Sequence, residues 1–144
     1  MVREACRDDL YELLKLYLHL HEECMPENTQ NLNETWNTIL QDKNHHVIVK
    51  SVEGKIVSSC VCVIIPNLSR GVRPYALIEN VVTHSNYRGR GYASECLTYA
   101  REIAETSKCY KIMIFTGSKE SSVLDFYRNA GYDCTGKTAF VRWI

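Results

Sequence analysis

The run Val81-Val82-Thr83-His84-Ser85-Asn86-Tyr87-Arg88-Gly89-Arg90-Gly91-Tyr92-Ala93 constrains this chain more than any other stretch. It reads as the end of an apolar strand, a short connection, then two glycines at the opening of a helix. The buried stripe of that helix is Ala93, Cys96, Leu97, Ala100, Ile103 and Ala104. The first amides of a helix have no intrahelical partner, and the helix dipole favours negative charge at that end. Glycine lets the backbone curl there and lets a phosphate approach without meeting a Cβ. The plain alternative is a strand-to-helix turn that holds nothing. Two other phosphate motifs do not fit. A dinucleotide fingerprint needs a third small glycine-like residue where Ser94 stands, with an acidic ribose-binding residue further on. The G-x-x-x-x-G-K-[ST] loop is absent.

The rest of the chain surrounds this turn with mixed α and β structure. Met1 to Cys6 can open a sheet. Asp9-Leu10-Tyr11-Glu12 reads as a capping box, followed by Leu10, Leu13, Leu14, Tyr17 and His21 at helical spacing, with Pro26 at or after the helix end. A shorter helix is expected from Asn33 to Gln41, with Trp36, Ile39 and Leu40 on its apolar side. His46–Val52 and Lys55–Ile65 are β-branched runs joined by Glu53-Gly54 and read as a hairpin. A loop from Pro66 to Pro74 carries Arg70 and Arg73 and leads into a strand from Tyr75 to Thr83. Tyr110–Thr116 is apolar enough for a strand covered on both faces. A last helix over Ser122–Ala130 closes at Gly131, and Thr138–Ile144 reads as a terminal strand.

At 144 residues the chain suits one domain, 1–144, with a sizeable core. The formal net charge is +0, so no global field attracts nucleic acid or an anionic membrane, and any anion must be held by a local device. No apolar run approaches the roughly 20 residues of a membrane span. Met1-Val2-Arg3-Glu4 leads straight into amphipathic sequence, unlike a secretory leader, so the expected compartment is the cytoplasm. The cysteines (Cys6, Cys24, Cys60, Cys62, Cys96, Cys109 and Cys134) are odd in number, with no C-x-x-C pair. Buried free thiols are expected rather than a disulfide framework or a metal site.

Arg88-x-x-Gly91-x-Ala93, with its Tyr87-Arg88-Gly89 lead-in, resembles the acyl-CoA signature of the GNAT superfamily of N-acetyltransferases. Glu79-Asn80-Val81-Val82 resembles that family's fourth strand, and Phe126-Tyr127-Arg128-Asn129-Ala130-Gly131-Tyr132 its F-Y-x-x-x-G-[FY] segment. The spacing from Ile78-Glu79 through Cys109-Tyr110-Lys111-Ile112 is similar to small-molecule amine acetyltransferases of the glucosamine-phosphate type. The resemblance is specific from Tyr75 to Tyr132 and rests on helix placement alone over the first 45 residues.

The resemblance implies an α+β fold with a mixed, mostly antiparallel sheet, splayed between strands 4 and 5 and flanked by about four helices. It implies acetyl-CoA as co-substrate and no metal. The pantetheine arm would pair with the backbone of Val81, Val82 and Thr83, and the diphosphate would sit on the turn formed by Arg88, Gly89, Arg90, Gly91, Tyr92, Ala93 and Ser94. The thioester would then point toward Glu79 and Tyr127. Where many relatives carry a pantetheine-contacting asparagine, this chain has Glu120, followed by Ser121 and Ser122, which could supply the contact instead.

Chemistry sharpens these roles. Attack on a thioester needs a neutral amine. For a lysine-like amine of pKa about 10.4 the neutral form costs roughly 4–5 kcal/mol at pH 7, whereas an α-amine near 8 costs only about 1 kcal/mol. Glu79 is the candidate base, directly or through water, sharing a strand face with Leu77 and Val81 where an idle carboxylate is costly. The alternative is an end-of-strand ion pair. His84 competes as a base, or is a solvated loop histidine. Tyr127 matches the family tyrosine that donates to the leaving sulfur, while Val123, Leu124 and Phe126 beside it would also suit a plain packing aromatic. Arg70 and Arg73 could hold an anionic group on the acceptor, or be solvated. His21, Glu22 and Glu23, ending the first helix, would wall the acceptor pocket by resemblance.

The expected activity is acetyl transfer to the primary amine of a small molecule. A peptide amine is a variant, and a non-catalytic acyl-CoA sensor is the rival. No nucleic acid or membrane partner is expected. A homodimer, built on the segment around Phe140 to Trp143, is possible by family resemblance.

Overall fold

Two β-branched runs meet at Glu53-Gly54, whose φ angles of 51° and 78° suit the tight two-residue turn that matches the twist of paired strands. The computed structural model describes residues 1–20 and 22–144, which fall into two compact units, Met1–Ile114 and Phe115–Ile144.

In the first unit the strands are β1 (Val2–Glu4), β2 (His45–Val52), β3 (Lys55–Ile65), β4 (Tyr75–Thr83) and β5 (Ile112–Ile114). They form one sheet in sequence order, antiparallel from β1 to β4, with β5 parallel to β4 at the edge. The helices of this unit are α1 (Leu10–Tyr17), α2 (Gln30–Gln41), a four-residue turn α3 (Ser69–Val72) and α4 (Tyr92–Thr106). Alternation along the strands separates two apolar layers. Val47, Val49, Val61 and Val82 meet Leu13, Leu16 and Trp36 from α1 and α2. Ile48, Cys62 and Ile78 are fully buried, and Cys96, Leu97, Ala100 and Ala104 of α4 are buried at the helical spacing the sequence shows. Cys62 Sγ approaches the Ala100 carbonyl at 3.9 Å, which fixes α4 on that face.

All seven cysteines are free. Burial pushes the Cys62 thiol up to about 12 and Cys96 to about 11, so these two are inert packing residues. Cys6, Cys24 and Cys134 are exposed instead. Among the described residues no helix is long and apolar enough to cross a membrane.

Several sequence expectations are corrected. The cap of the first helical segment lies one turn earlier than Asp9–Glu12: the Cys6 amide donates to the Asp9 carboxylate at 2.7 Å, and Glu12 pairs with Lys15. Asp9 is also held by both terminal nitrogens of Arg3, at 2.6 and 2.9 Å. α1 ends at Tyr17, so Glu22 and Glu23 are not its last turn, and His21 lies outside the described residues. α2 starts at Gln30, three residues before the expected Asn33, because Thr29 Oγ1 accepts the Leu32 amide and caps the helix there. The Pro66–Pro74 loop contains the turn α3, with left-handed Arg70 (φ 57°) and Gly71 (φ 69°).

β5 is three residues long, half-buried and at the sheet edge, not a central strand covered on both faces.

In the second unit, α5 (Ser121–Asn129) ends as its glycine predicts. Gly131 has φ 94°, the Gly131 amide donates to the Arg128 carbonyl and the Tyr132 amide to the Tyr127 carbonyl. These two bonds satisfy carbonyls the helix end leaves open. The terminal strand over Thr138–Ile144 does not form; Phe140 and Trp143 are 93% and 90% exposed. A short strand gains its stability from a partner ladder, and here its apolar pattern has none among the described residues.

The Arg3–Asp9 pair gives a first prediction. Arg3 donates to Asp9 and pulls its carboxyl down to about 2, against the opposing effect of burial. A depressed folded-state value stabilises the fold above the unfolded value near 4, and that stability disappears as pH falls toward 2. Asp9→Asn is expected to cost about 1–2 kcal/mol at pH 7, discounted because Arg3 is partly exposed. Urea melts at pH 7 and pH 3 should show the gap between wild type and variant shrinking as acid is added. A constant gap would assign the loss to the cap alone.

Candidate functional site

β4 changes character halfway along. Its pairing with β3 runs in one register from Tyr75 opposite Ile65 to Glu79 opposite Val61, then resumes shifted, with Val82 opposite Ser59 and Thr83 opposite Ser58. One extra residue on β4 makes a bulge, and Asn80 within it takes a left-handed φ of 52°. A one-residue slip exchanges the two faces of a strand. Glu79 therefore keeps the face of Leu77, but Val82 rather than Val81 continues it, and Val82 joins the core with Leu13 and Leu16. The Glu79 side chain is exposed, so the burial cost expected for an idle carboxylate does not arise.

The bulge is tied from two sides. Tyr17, at the end of α1, turns its hydroxyl toward the side chains of Asn80 and Ser59, while burial pushes that hydroxyl up to about 12. Buried Ser58 donates to the Val82 carbonyl at 2.9 Å and meets the Thr83 hydroxyl at 2.8 Å. Neither Tyr17 nor Ser58 stands out in the sequence as a site residue, because both meet β4 only through tertiary packing.

β4 and β5 pair only from Ala76 with Ile112 to Ile78 with Ile114. Beyond Ile78, β4 has no β5 partner, so the sheet opens on that side and leaves backbone groups of Val81 and Thr83 along an edge. Such an edge can take an extended amide-bearing chain as an added strand.

The edge runs directly into the glycine turn. Gly89 and Gly91 have φ of 73° and 79° with nothing within 4 Å of a built Cβ. They are therefore required for conformation, not for space. Gly91 is the N-cap of α4, and the first α-helical bond runs from the Glu95 amide to the Gly91 carbonyl. The amides of Tyr92, Ala93 and Ser94 precede that bond, at the positive end of the dipole. Gly89, Arg90, Gly91 and Ser94 are exposed. Arg88 Nε donates to the Thr83 carbonyl at 3.3 Å, and Arg90 to the Asn86 carbonyl at 3.4 Å while lying over the Tyr87 ring.

Lys50 is a residue that sequence reasoning missed. It reaches from β2 to Glu95 at 2.6 Å and lies 5.0 Å from the Tyr92 ring centre, bringing a cation to the first turn of α4. No local pattern could reveal it, since the pair spans 45 positions.

His84 lies in the loop that follows β4 and is half-exposed. Its Nδ1 accepts the Asn86 amide at 3.2 Å, and its ring stands 4.2 Å from that of His19. Desolvation first, then the charges of His19, Lys55 and Arg88, lower its pKa and favour the neutral ring. Its lone pair is used in the turn, which leaves the ring poorly placed to act as a base.

Arg73 is committed to the backbone: its side chain donates to the carbonyls of Lys108 and Cys109 at 3.4 and 3.3 Å. Arg70 and Lys111 instead lie over aromatic rings, Arg70 at 5.8 Å from Tyr110, and Lys111 at 5.0 Å from Tyr75 and 5.3 Å from Tyr110.

In the second unit, Tyr127 is half-buried on α5, with its ring 5.0 Å from Phe126 and 6.5 Å from Tyr132. Ser122 is exposed in the first turn of that helix. The Glu120 carbonyl accepts the amides of Val123 and Leu124, so Glu120 begins the helix through its backbone. No cluster of His, Cys, Asp and Glu suited to a metal occurs among the described residues.

Comparison with known proteins bears on this arrangement. A family model described as the acetyltransferase (GNAT) family matches residues 7–132. A glucosamine 6-phosphate N-acetyltransferase of Trypanosoma brucei brucei is 34% identical over 79 residues, 55% of this chain and 52% of that protein. The match thus spans about half the length of that relative. Among solved structures, a putative acetyltransferase from Agrobacterium tumefaciens str. C58 superposes with a TM-score of 0.91 at 35% identity, covering 99% of both chains. A transcriptional regulator from Bacillus halodurans C-125 does so with 0.85 at 25% identity, again over 99% of both.

Proposed function

Because the chain belongs to the acetyltransferase (GNAT) family, we propose that it moves an acetyl group from acetyl-CoA to the primary amine of a small molecule, by direct attack with both substrates bound. The observation that carries this reading is one continuous run: an open β4 edge beyond Ile78, then left-handed Gly89 and Gly91, then the leading amides of α4. The edge suits the amide-bearing arm of coenzyme A, and the turn suits its diphosphate. The family uses acetyl-CoA.

The segment Val81-Val82-Thr83 would hold the arm, with Val81 and Thr83 presenting their backbone groups to it. Arg88, Gly89, Arg90, Gly91, Tyr92, Ala93 and Ser94 would hold the diphosphate, and Ser122 would contribute to the arm. Acetyl-CoA, when bound, supplies a thioester carbonyl for the amine to attack.

Glu79 takes the ammonium proton, and its exposed position suits relay through a water. The amine nitrogen then forms its bond to the carbonyl carbon as the carbon–sulfur bond breaks. Tyr127 donates to the departing sulfur. A thiol of pKa about 8.5 is already a fair leaving group, so that donation helps without being indispensable.

Tyr127→Phe tests the assignment. It is expected to lower kcat about 10- to 100-fold, the lower end of acid–base contributions, with acetyl-CoA affinity changed less than about threefold. Release of free CoA thiol against a panel of amines, paired with calorimetric titration of acetyl-CoA, reads both. Equal kcat in the variant would make Tyr127 a packing aromatic. Tight acetyl-CoA binding with no amine-dependent thiol release by wild type would favour a regulatory module instead.

A further inference from the structure

We propose that Arg70, Tyr75, Tyr110 and Lys111 form a subsite for an anionic group on the acceptor, so that the preferred substrate is a primary amine bearing a phosphate or carboxylate at its far end. This rests on the amine acetylation argued above and adds the acceptor's class.

Two cations without a carboxylate partner share one pair of rings here. Arg3, Lys15, Lys50, Arg101 and Arg128 each face a carboxylate within 4 Å. Arg70 and Lys111 pair with no carboxylate among the described residues; each lies over tyrosine rings instead, Lys111 over both Tyr75 and Tyr110. A ring face holds a cation in place without neutralising it, which leaves its hydrogen-bond donors for a ligand.

The scaffold beneath is well tied. Tyr75 and Tyr110 meet edge to face at 6.2 Å. The Ala76 amide donates to the Lys111 carbonyl, and the Tyr110 amide to that of Pro74, joining the entry of β4 to that of β5. Arg73 binds the carbonyls of Lys108 and Cys109 in the turn after α4, so the loop carrying Arg70 is anchored to the same place.

Position relates the cluster to the reaction. The β3–β4 register is unbroken from Tyr75 to Glu79, so both side chains stand on one face of β4, with Leu77 between them. Four residues of strand span about 13 Å, a distance that the long lysine side chain and the glutamate shorten. An amine near Glu79 and an acidic group over Tyr75 fit a molecule of sugar-phosphate or amino-acid size. The chain as a whole has a formal net charge of +0, so attraction for such an acceptor has to come from a local cluster of this kind.

The test uses two matched pairs of amines: glucosamine 6-phosphate with glucosamine, and 6-aminohexanoate with hexylamine. Wild type is expected to favour the anionic member of at least one pair by about tenfold or more in kcat/KM, mostly through KM. Lys111→Met should reduce that anionic-to-neutral ratio about tenfold, and Lys111→Arg should restore it, since guanidinium also stacks on rings and binds oxyanions. Added salt should erode the preference. No preference in wild type, or an unchanged ratio in Lys111→Met, overturns the subsite. Titration with inorganic phosphate, followed through the Tyr75 and Tyr110 ring resonances, reads the subsite without turnover. Shifts there that vanish in Lys111→Met support it, and their absence in wild type overturns it. Loss of all amine acetylation with those shifts intact would instead remove the acetyl-transfer reading.

Discussion

Gly91→Glu is expected to weaken acetyl-CoA binding by about 100-fold or more, because it strikes the turn in two ways at once. At φ 79° a residue with a Cβ is strained by about 1–2 kcal/mol, although nothing within 4 Å would collide with it. The added carboxylate also stands at the N-cap of α4, where it would compete with a diphosphate for the amides of Tyr92, Ala93 and Ser94. Gly91→Ala separates the two effects, since it carries the strain without the charge, and about a tenfold loss is expected of it. Calorimetric titration gives both affinities, and thermal melts without ligand give the cost to the fold. If Gly91→Glu bound acetyl-CoA as wild type does, the diphosphate would have to sit elsewhere, and the assignments from Arg88 to Ser94 would fall with it.

Glu79→Gln should produce a loss whose size depends on pH and on the acceptor. With an alkyl amine of pKa about 10.4 at pH 7, removal of a general base is expected to lower kcat/KM by about 10²–10³-fold. Raising the pH toward 10 supplies neutral amine from solution, so the variant should approach wild type there. An acceptor with pKa near 8 should lose less at every pH, because its neutral form costs only about 1 kcal/mol. Steady-state rates from pH 6.5 to 10 with both kinds of amine separate the possibilities. A loss that stays constant across pH would make Glu79 a positioning group. No loss at all would return it to the surface carboxylate that its exposure would otherwise suggest.

Both substitutions act on features of very different legibility. Gly91 was readable because a left-handed φ at a helix start is a local requirement, satisfied by the residue's own lack of a side chain. The Glu53-Gly54 hairpin and the Gly131 helix end were readable for the same reason. The environment of Glu79 was not. Simple alternation along β4 put Leu77, Glu79 and Val81 together, and the bulge at Asn80 replaced Val81 with Val82. That shift depends on Tyr17 of α1 and on Ser59 of β3, which lie 63 and 21 positions before Asn80, and neither leaves a trace in the local pattern.

Apolar periodicity runs further along this chain than the elements it belongs to. The apolar spacing after Leu10 reached to His21, yet α1 stops at Tyr17. The Thr138–Ile144 run has a strand's composition but no strand to pair with among the described residues. Periodicity says which face of an element would be buried if it formed, and only packing decides how far it forms.

What the amino-acid order determined by itself was the set of local conformations: the left-handed glycines, the buried stripe of α4, the β-branched strands and, through them, the family. Tertiary structure decided which side chains meet. Lys50 with Glu95, Tyr17 with Asn80, and Lys111 with Tyr75 are each separated by tens of residues and joined only when the sheet is assembled. The division has a physical cause: backbone dihedral preferences act within a few residues, whereas ion pairs, ring contacts and strand register are long-range consequences of burying the core.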